Sequence, residues 1–300
     1  MLTCPRERWN VEVDITTACP RRCSNCTRLT AHYRKPWFMS VEQFAQACEA
    51  AKDFVYNPAP DAWAVRTGNA PRTRTVGMMG GEPLIHPQFV ELCAVMRAII
   101  PDRKHRFLCS AMDVDKHKYA EVIQETFGSV NRNTHEGVVV HQPVLVAIEE
   151  LAPHATPVKE GRMTAEAWMW RHINDCWLQE HWSSSINPKG FYWCEVAGSM
   201  AMAMGGPGGL PVEPGCWDHD LEDYREQINY WCPKCSICVP LPPRRDSEEI
   251  DDISRGNFSR LFWAGSPRIK NRSYVLFDPT AYCEDAAGTW TPHKYMRTDA

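Results

Sequence analysis

Cys19, Cys23 and Cys26 lie in the stretch Thr17-Ala-Cys-Pro-Arg-Arg-Cys-Ser-Asn-Cys26, a C-x3-C-x2-C loop that follows the alternating run Val11 to Ile15. Thiolates at this spacing bind metal. A four-iron cluster takes four ligands, most often cysteine thiolates, so three from the protein leave one iron open to another molecule. Zinc would need a closed set of four, and His32, six residues after Cys26, could complete a Cys3His site. Both readings fit the spacing.

A second constellation is Gly80-Gly81-Glu82-Pro83, which ends the apolar run Thr75 to Met79. Ligands of open α/β sheets bind at the carboxyl ends of strands. Two glycines there let backbone approach a ligand closely, and Glu82 could accept a hydrogen bond from an amine. A third lies near the C-terminus: Cys194, Cys216, Cys232, Cys235 and Cys238, with Cys283 further on. Cys232-Pro-Lys-Cys235-Ser-Ile-Cys238 holds two overlapping C-x2-C pairs, which suit a four-ligand metal site, zinc included.

The elements that must position these residues read as strands alternating with helices. Val11 to Thr16, Thr75 to Met79 and Arg106 to Met112 read as strands. Val138 to Ile148 reads as one strand or two. Ser40 caps a helix running to Val55, and helical periodicity recurs over Gln88 to Ile100 and Lys116 to Phe127. The class is therefore α/β with a parallel sheet. From Thr164 to Trp182 the chain reads as a Trp-rich helix; beyond it glycine, proline and cysteine replace periodicity. The expected division is a βα-repeat core over 1–160, a helical connection over 161–186 and a cysteine-rich domain with its tail over 187–300.

Composition narrows the function classes. The 300 residues carry a net charge of −4, against non-specific nucleic-acid binding. No apolar run nears the roughly 20 residues that span a bilayer, so no membrane association is expected. The chain opens without an apolar leader, which points to the reducing cytoplasm, and there 14 cysteines suggest metal rather than disulfides.

Taken together, Cys19, Cys23 and Cys26 after the first strand and Gly80 to Pro83 after the second resemble the radical S-adenosylmethionine superfamily. The resemblance implies a partial (β/α)6 barrel. It implies a [4Fe–4S] cluster on the three cysteines, with S-adenosylmethionine on the open iron and its ammonium at the Gly-Gly-Glu-Pro turn. The deoxyadenosyl radical so formed would take hydrogen from a substrate, and a flavodoxin or ferredoxin would supply the electron. Asn25 stands where the family often has an aromatic residue, leaving its backbone to face the adenine. Ser110 falls where a hydroxyl often meets the ribose or carboxylate, and Cys109 on the same strand could donate a hydrogen atom. His141, Glu149 and Glu150 are candidates for the substrate or ribose.

The C-terminal layout resembles the SPASM and twitch extensions of that superfamily. This implies one auxiliary [4Fe–4S] cluster on Cys194, Cys216, Cys232 and Cys235, with Cys238 able to replace Cys235. Cys4, Cys48, Cys93 and Cys176 have no partner at a useful spacing, and Cys48 and Cys93 read as core. Only eighteen residues precede Cys19, which favours a small substrate such as a sugar, aminoglycoside precursor or nucleoside. The alternatives are an enzyme that modifies a ribosomally made peptide and, in another class, a zinc-stabilised binding protein.

Overall fold

Alternation along β1 (Asn10–Asp14) sends Val11 and Val13 to one face and Asn10, Glu12 and Asp14 to the other, yet every one of these residues is buried. A strand buried on both sides belongs at the centre of a sheet. The computed structural model, which describes residues 2–135 and 137–282, places it there.

After β1 come α1 (Val41–Ala51), α2 (Ala62–Thr67), β2 (Thr75–Met79), α3 (Phe89–Ile99), β3 (Arg106–Ser110), α4 (Ala120–Thr126) and β4 (Ser129–Arg132). The chain continues through β5 (Val140–His141), α5 (Ile148–Leu151), α6 (Thr156–Lys159), α7 (Ala165–Asn174), α8 (Leu178–His181), β6 (Ser183–Asn187) and β7 (Gly190–Tyr192). The remainder is α9 (Glu195–Met204), α10 (Arg225–Trp231), β8 (Arg244–Arg245), β9 (Asp251–Ile253), α11 (Arg255–Ala264), α12 (Pro267–Lys270) and β10 (Tyr274–Leu276).

The protein is a mixed α/β fold around a mostly parallel six-stranded sheet of order β4-β3-β2-β1-β6-β7, in which only β7 runs antiparallel to its neighbour. Register puts Val11 beside Val76, and Val13 beside Met78 and Ile186. With Leu108 these form an apolar face, covered by Phe44 and Cys48 of α1 and by Phe89, Leu92, Cys93 and Met96 of α3. The opposite face carries Asn10, Glu12, Asp14, Thr75, Ser183, Ser185 and Asn187, all buried. Capping fixes the helix starts: Ser40 Oγ accepts from Gln43 N at 3.2 Å, and Gln43 Oε1 accepts from Ser40 N at 3.1 Å. Among the described residues no helix is long and apolar enough to cross a membrane.

Four elements differ from the sequence expectation. The run 138–148 gives only β5, paired antiparallel with β8. Its apolar part, Val144 to Ile148, is buried without joining the main sheet, because α11 residue Asn257 and the Ser254 N–H take up the Leu145 carbonyl. The Trp-rich helix breaks at 175–177 into α7 and α8. The strands β4 and β6 carry no apolar alternation: β4 is an exposed edge, and β6 begins Ser183-Ser184-Ser185.

Candidate functional site

The loops after β1 and β2 meet at the carboxyl edge of the sheet. Gly81 N donates to Thr16 O and Glu82 N to Ala18 O, both at 2.7 Å. A Cβ on Gly80 would lie 2.4 Å from Thr16 O, and one on Gly81 2.1 Å from Ala18 O. Gly80 also has a φ of +147°, which side chains rarely adopt. The two glycines therefore serve first to let the two turns touch. The Glu82 carboxylate faces inward: Oε1 accepts from Ser110 Oγ at 2.9 Å and Leu84 N at 3.0 Å, and Oε2 from Ala111 N at 2.7 Å. Burial raises its pKa against these hydrogen bonds. Pro83 opens the short turn that Glu82 caps. Ser110 is thus committed to Glu82 within this structure.

The cysteine loop is fastened by the C-terminal third of the chain. Ser24 N donates to Asp246 O at 2.9 Å. Asn25, at a φ of +52°, donates from its backbone N to Asp251 Oδ1 at 2.5 Å and from Nδ2 to Asp252 Oδ2 at 2.9 Å. Arg268, itself buried, donates to Cys23 O at 2.8 Å and to Asp251 Oδ2 at 2.6 Å. His32 does not approach the cysteines as a fourth ligand: Nε2 meets Asp251 Oδ2 at 3.0 Å and Nδ1 meets Ser266 Oγ at 2.8 Å. Burial pushes the Asp251 carboxyl up, but His32 and Arg268 outweigh it and leave the pKa below the usual value.

Cys19 and Cys26 are partly exposed, while Cys23 is buried. Burial pushes the Cys19 thiol up to about 11 and the Cys23 thiol up to about 12, and the neighbouring cysteines add to both. Cys23 Sγ also lies 3.8 Å from His135 Nδ1, which meets Asp246 Oδ2 at 2.8 Å. Cys23, His135 and Asp246 are the one set among the described residues whose three ligating atoms lie within 4.8 Å of one another. A tetrahedral zinc ion holds its sulfurs about 3.8 Å apart, from its 2.3 Å bonds. The three thiols of the loop are spread more widely than that.

Beside the loops, on the polar face of the sheet, lies a buried ionic cluster without a counterpart in the sequence expectations. Arg28 pairs with Glu12, with Glu195 at 3.2 Å and with Asp14 at 3.5 Å. Burial pushes Asp14 up to about 6, with Arg28 opposing and Glu12 adding, and pushes Glu195 far above the carboxylate range. Asp14, Arg28, Gly80, Gly81 and Asn187 line a cavity of about 10 Å³, the space of one water. Asp14 Oδ1 and Asn187 Nδ2 are buried there without hydrogen bonds. The signal was present: Glu12 and Asp14 are charges at alternate positions of a strand in a parallel sheet, where neither face meets water.

Cys109 falls on this same polar face, packed with Met79 and Phe107; burial, and then Glu12, push its thiol above the usual value. His141 donates to, or accepts from, the loop through Ser24 O at 2.8 Å. The Glu150 carboxylate caps α11 through Arg255 N and Gly256 N, away from the cavity.

The C-terminal cysteines divide. Cys232, Cys235 and Cys238 are each raised by burial and then by one another or by Cys176, and Cys194 acts on both Cys232 and Cys235. Cys176, which sequence spacing leaves alone, is therefore in this group. Cys216 is not: no cysteine contributes to its raised pKa, which comes from burial and Glu213, and Tyr224 Oη donates to its carbonyl at 2.8 Å. Cys48 and Cys93 sit in the main core, and Cys4 caps a short turn that ends at Glu7. Cys283 lies outside the described residues. No protein-family model matches the chain, and no curated protein matches it.

Proposed function

We propose that this protein is a radical S-adenosylmethionine enzyme acting on a small substrate in the space between the cysteine loop and the Arg28 cluster, on the barrel-like inner face of the sheet. The supporting observation is the junction itself. A three-cysteine loop with two partly exposed thiols touches a glycine turn so tightly that no side chain fits, at the carboxyl edge of a parallel sheet. The donor set suits a cluster with three protein ligands, and the thiols are too far apart to close on one zinc ion. When bound, such a cluster and S-adenosylmethionine supply a deoxyadenosyl radical that removes hydrogen from a substrate.

The chain's own residues perform the positioning. Asn25, Asp251 and Arg268 hold the loop backbone. The Glu82 carboxylate is used up in bracing the turn, so the Gly80 and Gly81 backbone, rather than that side chain, is left to meet an ammonium group. Asp14 and Asn187 keep unpaired polar atoms at the cavity, which a polar substrate would satisfy. Buried walls exclude water from a reactive intermediate.

The test is anaerobic reconstitution with iron and sulfide, a strong reductant and S-adenosylmethionine. Brown protein that forms 5′-deoxyadenosine is expected. Deuterium transfer from candidate sugars and nucleosides into that product would then identify the substrate, and transfer only from peptides would favour peptide modification. A second reading has one observation of its own: Cys23, His135 and Asp246 are close enough to share a single ion. Colourless protein holding one zinc, lost on His135→Ala, would replace the radical reading with a zinc-stabilised binding protein.

A further inference from the structure

Five cysteines from three separate segments meet behind β6. Cys176 stands where the expected helix breaks between α7 and α8. Cys194 stands at the start of α9, and Cys232, Cys235 and Cys238 follow α10. Trp177 Nε1 donates to Ile237 O at 2.7 Å, which ties the break beside Cys176 to the Cys235–Cys238 turn. Cys194 and Cys235 are buried in the main core, with Cys176 and Cys232 packed against it.

No three of these sulfurs lie within 4.8 Å of one another, which is wider than a single tetrahedral zinc ion allows. Backbone N–H groups of Val196 and Ala197 are directed at Cys194, and those of Leu178 and Gln179 at Cys176. Such hydrogen bonds stabilise thiolate sulfur in iron–sulfur sites.

Arg8 gives an independent indication. Its side chain is fully buried, yet its hydrogen bonds go only to carbonyl and hydroxyl oxygens of Thr3, Ser183, Ser184 and Trp193. It forms no ion pair among the described residues, and Nε has no partner. A buried guanidinium without a counter-ion is costly. The nearest sulfurs acting on it are those of Cys194 and Cys176. Four thiolates around a four-iron core carry net negative charge, which is the counter-ion Arg8 lacks.

We propose that Cys176, Cys194, Cys232 and Cys235 hold a [4Fe–4S] cluster whose charge is balanced by Arg8, and that Cys216 is not a ligand. This rests on the iron–sulfur reading above and replaces one ligand of the expected set with a cysteine that spacing alone does not select. Arg8 is here a positioning residue that sets the charge around the cluster.

The experiment starts from a Cys19/Cys23/Cys26→Ala background, reconstituted anaerobically, with iron and sulfide counts, electron paramagnetic resonance of the reduced protein, and circular dichroism to verify folding. About four irons should remain. Adding Cys176→Ser should remove them or change the resonance, whereas Cys216→Ser and Cys238→Ser should leave both as they were. Arg8→Met should shift the cluster potential to more negative values, and Arg8→Lys should restore it. Iron lost on Cys216→Ser but kept on Cys176→Ser overturns the proposal, as does one stoichiometric zinc in place of iron. If Cys176→Ser does not fold, Cys216→Ser decides alone: iron lost overturns the proposal, iron kept supports it. Iron retained in this background while the parent makes no 5′-deoxyadenosine would defeat the radical reading and leave this one standing.

Discussion

The two groups of cysteines are built in opposite ways. The N-terminal three sit on a polar loop clamped from outside by Asp246, Asp251, Asp252 and Arg268, with Cys19 and Cys26 partly exposed beside a cavity. The C-terminal five sit in the core among tryptophans, with Arg8 as the neighbouring charge. Metal sites that bind a reactant keep an open position, and structural ones close. The contrast fits a loop that receives a ligand and a chamber that does not.

The largest effect expected from breaking this contrast is at Asp251. Asp251→Asn strands Arg268 and His32 in the interior, and removing one member of a buried ionic network costs about 3–5 kcal/mol. Denaturant unfolding should show that loss. Partial iron loading should fall at the loop and persist at the chamber; equal loss at both would mean that the two are not independently supported.

Asp14 sharpens the chemistry of the open end. Its pKa is raised from 3.8 to about 6 in the folded chain, so the folded state binds the proton more tightly than the unfolded one. The associated stability is complete below pH 4 and is lost as pH rises through 6, a change on the order of 3 kcal/mol for about two units. Asp14→Asn should flatten the urea-stability profile between pH 4 and 7. A profile as steep as that of the parent would locate the proton elsewhere.

A smaller effect is expected at the turn junction. Gly81→Ala places a methyl 2.1 Å from Ala18 O, and the backbone shift it forces costs about 1–3 kcal/mol. Calorimetry should show weakened S-adenosylmethionine binding with the iron of the chamber unchanged. The smallest effect is at Glu150, whose carboxylate caps α11. Glu150→Ala should cost about 1 kcal/mol in thermal unfolding and alter the iron of neither site.

What the sequence discloses follows the same division. Where one face of an element is apolar and its ends are capped, as in α1, β2 and α3, periodicity places it within a residue or two. It fails at β6, because Ser183, Ser185 and Asn187 face the polar interior instead of a greasy core, and a buried strand of hydroxyls looks like a loop. The touching of the cysteine and glycine loops is legible from their positions after β1 and β2. Arg28 and Glu195 are not, since they enter the interior from a loop and from α9, joined only by tertiary pairing. Cys176 escapes for the same reason: motif spacing records neighbours along the chain, and its partners arrive through folding.

The clamp on the cysteine loop has a consequence for the order of events in synthesis. Asn25 and Asp251 are separated by 226 residues. At roughly 5–20 residues per second, a ribosome would take on the order of 10–45 s to make the second after the first. Throughout that interval the loop lacks the carboxylate that holds its backbone. Metal delivered to the nascent chain would meet three loosely placed thiols, and a finished site would require release of most of the polypeptide.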